Sequence, residues 1–164
     1  MNTVLIPTDF NVESIKIIDA FSLNHNLEEV TFIFLHAFKL SDSITDMLML
    51  SRRSRDYQNI SDEFYAELEN IKTKHSKLIK YIGIEYFYGS TVVAFKNLLE
   101  ALAVDAILYP ENYEFNAINK YSIDPKVLTS RCGYPIISLD INVVNTENLF
   151  ETKMHEVPSK AISA

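Results

Sequence analysis

Apolar residues along this chain fall into two patterns that alternate. Short, nearly uninterrupted apolar runs at Thr3–Pro7, Val30–His36, Ile84–Tyr88, Ala106–Tyr109 and Ile136–Leu139 predict five buried strands. Between them, apolar positions recur every three or four residues, the period of a helix with one buried face. Strand and helix in alternation predict an α/β fold of Rossmann-like type, a five-stranded parallel sheet with helices on both faces. Right-handed crossovers that must change direction once to cover both faces predict the strand order 3-2-1-4-5.

The helices can be placed from their caps. Asn11 is positioned to cap a helix over about Val12–Leu23 whose inner face is Ser14, Ile17, Ile18 and Phe21. Ser90 or Thr91 starts another, with Phe95, Leu98, Leu99 and Leu102 inward. Asp124-Pro125 is an N-cap followed by proline in the first helical position, and predicts a helix over about Pro125–Arg131 that Gly133 ends. The long crossover Leu40–Tyr81 holds no Gly and no Pro. Its stripe Ile60, Phe64, Leu68, Ile71, His75, Leu78 and Ile82 predicts one helical face of about six turns packed on the sheet, with a coiled-coil seam as the other reading. His75 on that stripe is expected to be a partnered side chain at the edge of the core. Upstream, Ile44, Met47 and Leu48 predict a shorter helix that leads into Arg52-Arg53-Ser54-Arg55, a solvated basic turn paired with Asp56, Asp62 and Glu63.

No repeat, linker or compositional shift divides the chain, so residues 1–141 are expected to form one α/β domain. The tail 142–164 is polar but carries Leu149, Phe150, Met154 and Val157 at the spacing of a short amphipathic helix. It is expected to be ordered against its own body or a neighbouring chain.

Composition narrows the class. The 164 residues are 48% hydrophobic and 23% charged, with three Gly and one Cys, which excludes collagen-like, disulfide-stapled and low-complexity proteins. A chain of this size buries about 70% of its extended surface and needs no metal or disulfide to hold a core. A net charge of −7 repels phosphate backbones and argues against a nucleic-acid partner. The first residues lack the basic start and apolar run of a signal peptide, and no apolar run approaches the ~20 residues of a membrane span. A cytoplasmic protein with no membrane partner is the expectation.

Chemistry in such a sheet belongs beyond the carboxyl ends of the strands, where the strand order reverses. That crevice lies between strands one and four. The residues expected just past strand ends are Thr8, Asp9, His36, Gly89, Ser90, Glu111, Asn112 and Tyr113. Asp9 is expected to face Glu111 or its neighbours across the crevice, and two carboxylates there could do acid–base work or hold a divalent cation. The plainer reading is that Asp9 caps its own loop, because a ring of polar residues at strand ends comes with the architecture. There is no nucleophile elbow, no G-x-G-x-x-G and no phosphate loop. His25, His36, His75 and Cys132 lack metal-ligand spacing, so no metal site is expected, and Cys132 near the end of a short helix is poorly placed for a reactive thiolate.

Four segments taken in order are similar to the universal stress protein family. Val4-Leu5-Ile6-Pro7-Thr8-Asp9-Phe10 resembles the family's opening strand and its P-T-D-F-S loop. Thr31-Phe32-Ile33-Phe34-Leu35-His36-Ala37 resembles the second strand with its L-H-V or L-H-A ending. Leu102-Ala103-Val104-Asp105-Ala106-Ile107-Leu108-Tyr109 resembles the A-D-L-I-V-M run, and Lys126-Val127-Leu128 with Pro135-Ile136-Ile137-Ser138-Leu139 the closing K-V-L and C-P-V-L-V-V. The resemblance covers Asn2 to about Ile141 and implies the same 3-2-1-4-5 sheet, dimerisation through strand five and, in one branch, ATP held by G-x2-G-x9-G-[ST]. Here the first two glycine positions fall on Pro110 and Tyr113 and the last pair on Tyr121-Ser122, with the spacing two residues short. Only Ser122 and, after strand one, Asp9 match nucleotide-contacting positions, so ATP is not expected as a cofactor.

The leading expectation is therefore a non-catalytic stress-response module, a homodimer through strand five and the tail, that acts on a protein partner whose identity is not written in the sequence. The alternative is a sensor of a nucleoside or other non-triphosphate ligand. Its candidate contacts are Thr8, Asp9, His36, Ser90, Asn112 and Ser122. An enzyme using Asp9 and Glu111 comes last.

Overall fold

A computed structural model describes residues 2–23, 28–39 and 60–142 of the chain. The helix expected around Ile44–Leu48, the Arg52–Arg55 turn and the tail beyond Asn142 lie outside these residues. The elements in order are β1 (Thr3–Pro7), a 3₁₀ turn (Val12–Ile15), α1 (Lys16–Leu23), β2 (Val30–Phe38), α2 (Asp62–Lys74), β3 (Ile79–Tyr88), α3 (Val92–Ala101), β4 (Ala106–Glu111), α4 (Pro125–Thr129) and β5 (Ile136–Asp140). All four strand pairings are parallel and the order is β3-β2-β1-β4-β5, as the alternation of patterns predicts.

Side chains leave a strand alternately to its two faces, so a strand covered on both sides must be apolar throughout. In β1, Val4 and Ile6 enter one core with Ile17, Ile18 and Phe21 of α1 and Phe64, Leu68 and Ile71 of α2. Leu5 enters the other, with Phe95 and Leu99 of α3 and Leu128 of α4. Thus α1 and α2 cover one face and α3 and α4 the other. The chain winds outward from β1 to β3 on the first face, then returns past β1 to β4 and β5 on the second. The point of reversal is the β1–β4 boundary.

Two helical readings need correction. The stripe from Ile60 does not run six turns as helix: α2 stops at Lys74, and His75 caps it through its amide to the Ile71 carbonyl. Leu78 lies in the following turn and Ile82 in β3, which begins at Ile79 rather than Ile84. The stripe continued in register only because strand residues inherited the spacing; Lys72 and Lys74, cations at the negative end of the helix, were the stop signal. His75 is partnered, as expected: its Nε2 lies 2.7 Å from Asp19 Oδ1 on α1. At the other correction, α4 ends at Thr129 with Ser130 as its cap. Gly133, at φ +80°, serves the turn into β5 instead.

The strand lengths shape the carboxyl edge of the sheet. β1 pairs with β2 over its whole length but with β4 only at Val4↔Ala106 and Leu5↔Ile107, so the two central strands part beyond that point. β2 outruns β1 and ends at Phe38. The row that β1 vacates is taken by the segment before α4, which runs antiparallel to the end of β2. The Ile123 amide donates to the Ala37 carbonyl at 2.9 Å and the Lys39 amide to the Tyr121 carbonyl at 2.8 Å, either side of the Phe38↔Ser122 bridge.

Candidate functional site

The loop after β1 is built from its own side chains. Thr8 Oγ1 accepts the Phe10 amide at 2.9 Å, Asp9 Oδ1 the Asn11 amide at 3.1 Å, and Asn11 Oδ1 the Glu13 amide at 2.9 Å. Ser14 Oγ gives its hydrogen to the Asn11 carbonyl, which leaves Thr8 as donor in the 2.7 Å Thr8–Ser14 contact. These closures hold Phe10 at φ 61°, a left-handed conformation uncommon for a bulky residue. Its ring is fixed against Phe64, Tyr86 and His36.

Asp9 then reaches across the crevice. It does not meet Glu111, the last residue of β4 and exposed, but the loop that follows. The Tyr113 hydroxyl, 2.8 and 3.0 Å from the two carboxylate oxygens, donates to the pair, and Asn116 gives Oδ2 its amide at 2.9 Å and its side-chain NH₂ at 3.2 Å. A carboxylate accepting four donors is consumed in tying two loops together. Burial, and then the Asp9 carboxylate, hold the Tyr113 phenol well above its ordinary range.

A second tie lies beside the first. His36 is inside β2 rather than past its end and is 5% exposed. Its Nδ1 lies 2.7 Å from the Thr8 carbonyl and its Nε2 2.8 Å from Ser122 Oγ. A carbonyl only accepts, so the proton sits on Nδ1. Ser122 Oγ already accepts the Ile118 amide at 2.9 Å and the Asn119 amide at 3.3 Å, so its hydrogen is the one directed to Nε2. With both lone pairs engaged, this hydroxyl is a junction between segments, not a nucleophile poised for attack.

Of the six candidate ligand contacts, Thr8, His36 and Ser122 come together on the wall of a cavity of about 230 Å³. Asp9 is next to it but turned to the loop. Ser90, exposed after β3, and Asn112, after β4, are separated by two intervening strands, on the order of 14 Å at ~4.8 Å per strand. Asn112 is a turn residue at φ 56° whose side chain donates to Asp140 of β5 at 3.2 Å. Tyr113 was expected past the end of β4 but not as a ligand contact, and Asn116 and Thr129 were not singled out. The first two lie more than a hundred residues from Asp9, and no local spacing announces such a contact. Among the described residues no group of three or more His, Cys, Asp or Glu could hold a metal, and no helix is long and apolar enough to cross a membrane.

No model of a known protein family matches this chain, and no curated protein matches it at a significant level. Among solved structures it is similar to a hypothetical protein, PH0823, at 17% identity and TM-score 0.53, over 85% of this chain and 95% of that one. It is also similar to a universal stress protein in complex with cAMP, at 15% identity and TM-score 0.42 over 85% and 97% of the two chains. A third is a protein from the universal stress protein family of Burkholderia pseudomallei, at 7% identity and TM-score 0.46 over 84% and 95%. At such identities the likeness is one of fold: this is a doubly wound, Rossmann-like α/β protein whose crevice lies at the β1–β4 reversal.

Proposed function

We propose that this chain is a non-catalytic, universal-stress-protein-like module, cytoplasmic, that acts in a stress response by dimerising and contacting a protein partner, with a degenerate nucleotide site. The observation that carries this reading is the filling of the crevice by the protein's own loop. Asp9, the one acidic residue matching the family's nucleotide contacts, is occupied by Tyr113 and Asn116. Ser122 is occupied by His36 and two amides. At the start of α4, Asp124 takes the Lys126 amide at 3.0 Å and presents a negative charge where a phosphate would approach, and Pro125 offers no amide. Among the described residues only β4 pairs with β5, whose Ile136 is 42% exposed and which has no Lys or Pro within it to blunt pairing, so a second copy has an edge to join. The sensor alternative, read with Asp9, Ser90 and Asn112 as a set, has less support because the three do not converge.

Calorimetric titration of the full chain with ATP and Mg²⁺ tests the first half of this proposal. No saturable heat is expected in the sub-millimolar range. Sub-millimolar binding that disappears in Asp9→Ala would show that the loop gives way to nucleotide and that the crevice is a working site.

A further inference from the structure

The cavity beside the His36–Ser122 tie has walls of Leu35, Ala37, Phe95, Ile123 and Leu128, the apolar core of the α3/α4 face carried up to the strand ends. Thr129, the last residue of α4, lines it as well. It is 3% exposed, and no hydrogen bond engages its hydroxyl among the described residues. Of the other polar groups here, Thr8 is committed to Ser14, His36 to Thr8 and Ser122, and Ser122 to His36 and two amides, whereas Asn116 and Asp124 are exposed. A buried hydroxyl without a partner calls for an explanation, and Thr129 lines a cavity whose walls are largely apolar.

We propose that this cavity binds an uncharged, single-ring molecule carrying one hydroxyl or carbonyl group, with the ring among Phe95, Leu35 and Leu128 and the polar group on Thr129. Size sets the first limit. An apolar cavity of about 150 Å³ takes benzene, whereas pockets for drug-sized molecules run from roughly 300 Å³ upward. At about 230 Å³ this cavity matches a ring with one or two substituent atoms. Charge sets the second. Asp124 lies on the wall and the chain carries a net −7, so an anion is disfavoured, while Asp124 itself is exposed and solvated and gives a cation little to offset the loss of its own hydration. The Thr129 hydroxyl sets the third, since it can donate to a carbonyl or accept from a phenol. This site needs neither a dimer nor a partner, so its failure would leave the preceding proposal standing.

Fluorine NMR on the full-length protein separates the outcomes, with 4-fluorophenol, fluorobenzene and 4-fluorobenzoate as probes of one ring size. Saturable shifts are expected for 4-fluorophenol, about five- to tenfold weaker binding for fluorobenzene, and none for the benzoate over the same range. Thr129→Val should lower 4-fluorophenol to the affinity of fluorobenzene and leave fluorobenzene unchanged. Intermolecular NOEs from the phenol ring to the Leu128 and Ala37 methyls in the unaltered protein locate the site without any variant. Absence of saturation for every probe means a cavity that holds only water and overturns the proposal, as do equal affinities of phenol and benzoate or NOEs to other residues.

Discussion

At the scale of single residues, the crevice is governed by hydrogen-bond satisfaction. Tyr113 carries the loop after β4 on one hydroxyl directed at both oxygens of Asp9. Tyr113→Phe is expected to weaken docking of that loop by about 1–2 kcal/mol, a charged hydrogen bond discounted for a half-buried, partly solvated place. Urea unfolding and amide exchange at Asn116 would measure it. The same contact has a pH signature. Because the folded phenol is raised above its unfolded value of 10.0, its contribution is complete below pH 10 and is lost as pH rises through the folded value. Unfolding at alkaline pH should therefore be less steep in Tyr113→Phe, and tyrosinate absorbance should show one late-titrating tyrosine fewer. From the sequence, Asp9 was legible as the principal polar residue of the crevice, because it follows a buried strand at the switch point. Its partner was legible only as a neighbourhood: Tyr113 stood among the residues expected past the end of β4, and only folding brings its hydroxyl to the carboxylate.

At the scale of elements, capping and packing decide where helices begin, and the residues that do so are readable. Thr91 accepts the Ala94 amide at 3.1 Å and starts α3, which resolves the choice between Ser90 and Thr91. Thr91→Ala should cost about 1 kcal/mol in thermal or denaturant unfolding, a typical capping loss. Phe64 of α2 is fully buried, edge-on to Phe10 and Phe34 at 5.4 and 5.7 Å. Phe64→Ala should cost about 3–5 kcal/mol in the same measurement. It should also loosen the loop after β1, because the Phe10 ring packs edge-on against Phe64. Ends of elements were less legible than beginnings. The passage from α2 to β3 contains neither Gly nor Pro, and apolar spacing alone cannot register a change of period when the first strand residues happen to stay in phase.

At the scale of the whole molecule, the sheet joins distant segments, and its stability responds to pH through one of those joints. Asp105, just before β4, accepts the amides of Asn2 and Thr3 at the start of β1. These amides hold its carboxyl below the ordinary value of 3.8. Its contribution is thus present above about pH 4 and is lost as pH falls through the folded value. Acid unfolding of Asp105→Asn should show a shallower loss of stability than the parent chain. The proposed pairing of two copies through β5 is tested at this scale: Ile136→Lys, at an exposed position of β5, should shift the dimer toward monomer in sedimentation velocity while leaving the fold intact. A parent chain that is itself monomeric at micromolar concentration would remove β5 pairing from the proposal. Strand number, parallel order and both buried faces were written in local chemistry, since buried strands must be apolar throughout and right-handed crossovers leave few windings. The length by which β2 outruns β1, the closing of that gap by residues 121–123, the engagement of Asp9 and Ser122 and the cavity left beside Thr129 were decided only by tertiary structure. They depend on which atoms of far-separated segments meet and satisfy one another, and no periodicity within a segment carries that information.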